Sequence, residues 1–199
     1  MEELPHYLRN DLEHAKRDSL IVRIHREEVD PGWIDGYVLS FGRQWCLLAV
    51  VDDDVHLNGL RAVRVEHISQ IEVPCPHHEF KVKALALRKA KLPRIPLLNC
   101  NDSTALLRAA GANYPLITLY LEWHETDVCY VGRVVMLNKE TLFLRCLNPD
   151  AEWENEPARF ALDEITRIDF GGAYEEALAL VAGLVEPRAP ELPTPSPLH

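Results

Sequence analysis

Cys75, His77 and His78 stand together in CPHHEF, and a thiolate with two imidazoles suits zinc. A closed site needs a fourth donor, Glu79 or a distant histidine, and no second cluster at finger spacing follows. Adjacent histidines also point in different directions on a helix or a strand. A loop that caps the following helix is the plainer reading. His56 in DDDVHLNG and His124 in EWHETD would each suit a general base. Neither has a nucleophile or acid–base motif beside it, so both read as surface loop histidines. Asp52 to Asp54 lack the spaced ligands and central glycine of a calcium loop. No phosphate-binding loop or dinucleotide fingerprint is present. The sequence therefore predicts no catalytic residue, no cofactor and no committed metal site.

KVKALALRKAKLPR holds six cations, Lys81, Lys83, Arg88, Lys89, Lys91 and Arg94, and no anion. Such a segment would suit phosphate contacts with a strong salt dependence. No aromatic residues interleave with the cations, so no base-stacking platform is visible. The competing reading packs Phe80, Ala84 and Leu87 inward and turns the cations toward acidic neighbours. The charge distribution favours this second reading. The chain of 199 residues carries a net charge of −10. Residues 1–95 carry 14 basic against 15 acidic side chains, and residues 96–199 carry 7 against 16. An acidic surface repels phosphate backbones. Among four tryptophans, Trp45 lies in an apolar run, and Trp153 in AEWENEP is the one expected to be partly exposed and open to a partner.

The elements that would position these residues repeat. GYVLSFGRQWCLLAVV begins at Gly36, and GRVVMLNKETLFLRCL begins at Gly132, 96 positions later. Ile21 and Ile117, and Leu48 and Leu144, share that offset, while Ile68/Ile165 and Ile71/Ile168 are offset by 97. So steady an offset marks two copies of one unit. Each copy reads as five short strands by period-two alternation and turn residues. Gly36 and Gly132 mark a bend or close backbone approach. LPHYLRNDLEHAKR places Leu4, Leu8, Leu12 and Ala15 on one helical face. NDSTALLRAAG is a second helix, with Asn101 or Asp102 as N-cap and Gly111 as its stop. HEFKVKALALRKAKL and AYEEALALVAGLV read as helices after each strand set.

A helix followed by five bent strands, with Gly36-x-Val38-x-x-Phe41 opening a hairpin, resembles the Sm-like family and in particular its bacterial RNA-chaperone branch, Hfq. VEHISQI, Val65 to Ile71, echoes a later signature of that branch. The resemblance covers roughly residues 4–73 and 101–170. It implies a mainly β fold with flanking helices: two tandem Sm-like, SH3-like five-stranded barrels, each preceded by an α-helix. The domain expectation is 1–95, 96–185 and a Pro-rich tail, 186–199. The RNA pocket does not carry over residue by residue. Gly42 and Cys46, then Asn138 and Leu142, occupy the positions of the family's polar loop, and Glu66-His67 replaces a Lys-His pair. A carboxylate facing phosphate has the wrong sign.

The resulting expectation is a non-enzymatic interaction or scaffold protein that self-associates through barrel edges. RNA binding through 81–94 is the alternative, and a metal protein or enzyme the third class. No apolar run spans a bilayer. Five cysteines without framework spacing, behind a polar N-terminus, fit reduced thiols in a cytoplasm.

Overall fold

The structure, a computed structural model, describes residues 4–93 and 98–184. Helix α1 (His6–Asp18) buries Leu8, Leu12 and Ala15, the stripe expected from period 3.6. Five strands follow: β1 (Ile21–Arg26), β2 (Asp30–Phe41), β3 (Trp45–Val51), β4 (Leu57–Arg64) and β5 (Gln70–Glu72). Helix α2 (His78–Leu87) closes the first half. The second half runs α3 (Ser103–Asn113), β6 (Ile117–Tyr120), β7 (Cys129–Leu137), β8 (Thr141–Leu147), β9 (Ala158–Ala161), β10 (Arg167–Phe170) and α4 (Ala173–Val181). The Pro-rich tail lies outside the described residues.

The pairing scheme of the first half recurs in the second. Gly36 pairs with Val50 and Gly132 with Cys146. The register shifts after Val38 in β2 and after Val134 in β7, a bulge at the same point of both hairpins. Ile24 faces Ile71, and Leu119 faces Ile168. The first-strand alignment differs from the sequence expectation. Val22 is opposite Gly36 and Ile117 is opposite Gly132, so Val22 and not Ile21 is the counterpart of Ile117. The second half has one more residue between these partners, placed in the loop before β7. Both glycines are required by close approach: a Cβ at Gly36 would lie 2.7 Å from the Ala49 carbonyl oxygen, and one at Gly132 2.3 Å from that of Arg145.

Two closed barrels are not formed. All ten strands make one antiparallel open sheet in the order β5-β1-β2-β3-β4-β10-β6-β7-β8-β9. On its far side β4 hydrogen-bonds to β10, the last strand of the second half, with Arg61 opposite Asp169 and Leu60 opposite Phe170. The reason lies in β3, whose seven residues are all buried. Cys46 and Leu48 join α1 in the core of the first half. Trp45, Leu47 and Ala49, on the other face, join Leu60 and Ala62 of β4 in the core of the second half. Each fully buried large side chain there contributes about 1.5–3 kcal/mol, so the halves share a core rather than each closing its own.

Helix α3 ties into both halves. Asp102 caps it by accepting from the Ala105 amide at 2.7 Å. Ser103 accepts from the Trp45 indole at 3.0 Å, and its own amide donates to Gln44. Gly111 does not stop α3, which runs to Asn113; it sits inside the helix because a Cβ would meet Val134 at 2.9 Å.

Candidate interaction surface

Charged side chains crowd the line where the halves meet. Arg26 at the end of β1 is 1% exposed and grips Glu122 with two bonds, of 2.7 and 2.8 Å. Thr166 donates to the same carboxylate at 2.7 Å, and Asp30 takes a further Arg26 contact at 3.3 Å. Arg61 on β4 holds Asp169 on β10 through paired bonds of 2.9 and 2.8 Å. Arg167 donates to Asp169 and lies over the Tyr120 ring, 3.9 Å from its centroid. Burial alone would raise the Asp169 carboxyl, but Arg61 and Arg167 outweigh it and hold its pKa below the ordinary value. Burial pushes the Tyr120 hydroxyl up to about 12. These groups satisfy one another and offer no free acid–base pair.

A second polar group sits in the first half. Arg23 makes a bidentate pair with Asp35 at 2.8 and 2.9 Å, and Lys81 of α2 also donates to Asp35. Burial opposes ionisation of Asp35, yet Arg23 and Lys81 lower its pKa. At the joint, the Trp123 indole donates to His67 Nε2 at 3.3 Å. An indole nitrogen only donates, so that ring nitrogen is unprotonated, consistent with burial lowering the His67 pKa.

Two clefts open beside the joint. One, of about 540 Å³, is polar and is lined by Gln44, Arg64, Ser103, Lys139, Arg159 and Asp163 among others. Arg64 spans it, donating to the carbonyls of Ile165 (2.9 Å) and Leu162 and lying 4.3 Å over Trp45. The other, of about 610 Å³, is mainly apolar, with Leu57, Leu60, Tyr114, Leu116, Ala179 and Leu180 in its wall and Lys91 and Glu176 at its rim.

The residues singled out by sequence are dispersed. Cys75 is buried, and burial raises its thiol pKa. His77 is exposed in a left-handed turn before α2, and His78 starts the helix. Among the described residues, no three of His, Cys, Asp and Glu group to hold a metal. The 81–94 segment is not one helix. α2 stops at Leu87, with Lys89 left-handed and the Ala90 amide donating to Leu85 at 3.0 Å. Lys81 faces inward, Arg88 donates to the Asp54 carbonyl at 2.7 Å, and Lys83, Lys89 and Lys91 are exposed. Arg94 lies outside the described residues. Phe80 and Leu87, expected to pack inward, are exposed, because Leu85 and Lys81 form the buried side instead. Trp153 is half-buried under Arg145, against the cluster of Leu116, Leu147 and Leu178. Trp33 and Trp123 are the exposed tryptophans.

The Arg26–Glu122 and Arg61–Asp169 pairs had no local signal, since their partners are 96 and 108 residues apart. Compared with family models, curated proteins and solved structures, the chain matches none.

Proposed function

We propose that the chain is a non-enzymatic, Sm-like interaction protein, a rigid two-part scaffold that binds protein and associates with itself. One observation carries this reading: Arg26 with Glu122 and Arg61 with Asp169 hold one another across the joint, while large apolar side chains remain bare on the outer helices. Groups locked in mutual ion pairs serve architecture, whereas bare apolar surface serves contact. The strand order within each half, last strand beside first and then one to four in sequence, supports the Sm-like reading and an origin by internal duplication. Five free cysteines, four of them buried, suit a reducing cytoplasm.

Strand edges are one route to self-association, since β5 and β9 each have an unpaired side in the sheet. RNA binding is the second reading, favoured by exposed Lys83, Lys89 and Lys91 within nine residues. Native mass spectrometry of the purified chain, with and without nuclease, separates the two. The scaffold reading expects a defined protein assembly whose mass nuclease leaves unchanged. A loss of mass on nuclease treatment, with RNA released, overturns it in favour of the second.

A further inference from the structure

One face of the sheet is used differently in the two halves. In the first half Tyr37 stands opposite Ala49, Ser40 opposite Leu47, and Leu47 opposite Ala62. Leu47, Ala49 and Ala62 are wholly buried there, within the core shared with the second half. In the second half the same places hold Arg133 opposite Arg145, Met136 opposite Phe143, and Phe143 opposite Arg159. This face is open. The three arginines are exposed, Met136 is 51% exposed and Phe143 is half-buried.

Like charges directly opposite one another on a sheet repel. Arg133 and Arg145 nonetheless pair in this way, and β7, β8 and β9 hold no acidic residue. Among the described residues none of the three arginines has a carboxylate within ion-pair distance, exposed Glu152, Glu154 and Glu156 of the β8–β9 loop included. The face therefore combines uncompensated positive charge with a small apolar patch.

The described chain stops beside it. Leu184 and Trp153 pack on the cluster that holds Leu147, and Arg145, two strand positions from Leu147, lies over the Trp153 ring. Residues 185–199, VEPRAPELPTPSPLH, follow. They place Glu186 two residues past Leu184, and Glu191 with Leu192 seven and eight residues past it.

We propose that this proline-rich segment covers the face, running along β8 with Glu186 on the Arg133–Arg145 row and Glu191 and Leu192 on Arg159 and the Met136–Phe143 patch. Alternate residues of a strand are about 7 Å apart, so the two rows lie about 7 and 14 Å from Leu147. A proline-rich segment advances about 3.1 Å per residue, which carries Glu186 about 6 Å and Glu191 about 22 Å beyond Leu184. Both rows are within reach. Prolines reduce the entropy lost on docking. Arg188, between the two glutamates, is left for the exposed carboxylates of the β8–β9 loop. The apolar cleft also adjoins α4, but it sets one cation, Lys91, against Glu175 and Glu176 and suits the segment less. The segment thus does for the second half what the second half does for the first, and a partner for this face has to displace it. This contact goes beyond the scaffold reading and does not depend on it.

Paramagnetic relaxation in the full chain tests it. A nitroxide is attached at Thr194→Cys in a Cys129→Ser background, Cys129 being the exposed native thiol. The amide signals of Arg133, Phe143, Arg145 and Arg159 are expected to lose most of their intensity, while those of α1 keep theirs. Arg133→Glu with Arg145→Glu restores the intensities, and adding Glu186→Arg with Glu191→Arg quenches them again. Circular dichroism stays near wild type, because Arg133 and Arg145 are exposed. Four unquenched signals overturn the proposal, and so does quenching confined to Leu57, Tyr114 and Leu180 of the apolar cleft. Quenching carried from a spin-labelled copy to an isotope-enriched copy without a label assigns the face to a second chain and overturns the contact within one. Nuclease-sensitive RNA on a chain whose quenching is intact sinks the scaffold reading alone. A protein assembly without quenching sinks the segment's contact alone.

Discussion

Removing the charge of Glu122 leaves the Arg26 guanidinium buried, with Asp30 as its remaining carboxylate contact at 3.3 Å. An uncompensated buried charge is costly, so Glu122→Gln is expected to lower stability by about 3–5 kcal/mol in urea unfolding. A double change, Arg26→Met with Glu122→Leu, recovers most of that loss, because neither group then has to leave water. Acid acts on the joint and also on the polar group of the first half. Asp169 and Asp35 have pKa values lowered in the folded state by their cationic partners. Their contribution is complete above the ordinary carboxylate range near pH 4 and is lost as pH falls through the lowered folded values. Stability measured against pH should thus be flat down to about pH 5 and then drop. Asp169→Asn should be less stable at pH 7 and show a shallower drop, and a parallel, equally steep profile would refute the assignment.

Left-handed residues follow the ends of α2 and α4. Lys89 occupies a left-handed position that glycine takes at the matching end of α4. An L side chain there costs about 1 kcal/mol or more, so Lys89→Gly is expected to raise the melting temperature and Gly183→Ala to lower it. Thermal melts of the two variants, moving in opposite directions, are the check. The early stop of α2 was hard to read from the sequence, because KALALRKAKL favours helix throughout and no glycine or proline marks residue 89. The side it buries was equally hidden. Phe80, Ala84 and Leu87 make the better apolar stripe, but Lys81 answers Asp35, 46 residues away, and with that pair Ala84 still packs against the core while Phe80 and Leu87 are left outside. Strands and their turns were legible because period-two alternation is local, and α1 was legible because Leu4, Leu8 and Leu12 have one repeat to obey.

At the scale of the whole molecule, the joint was written in the difference between the two halves. WCLLAVV is apolar without a break, as a strand buried on both faces must be, whereas TLFLRCL interrupts its run with Arg145. Leu47 and Phe143 occupy matching places, opposite Ser40 and Met136, yet only Leu47 is wholly buried. Leu47→Ala should cost about 2–5 kcal/mol. Phe143→Ala should cost about 1 kcal/mol or less. Chemical denaturation of both variants measures the asymmetry, and equal losses would mean that the shared core does not hold the halves together.

The position of β10 also sets the order of events during synthesis. Leu60 leaves the ribosome 110 residues before Phe170, the strand residue that pairs with it. At ordinary elongation speeds that interval lasts on the order of 5–20 s. Throughout it the first half has an open β4 edge and an uncovered face of Trp45, Leu47 and Ala49, the kind of surface that chaperones hold and aggregates recruit. The joint closes last, by the most distant pairing in the sheet, and the nascent chain must be protected until it does.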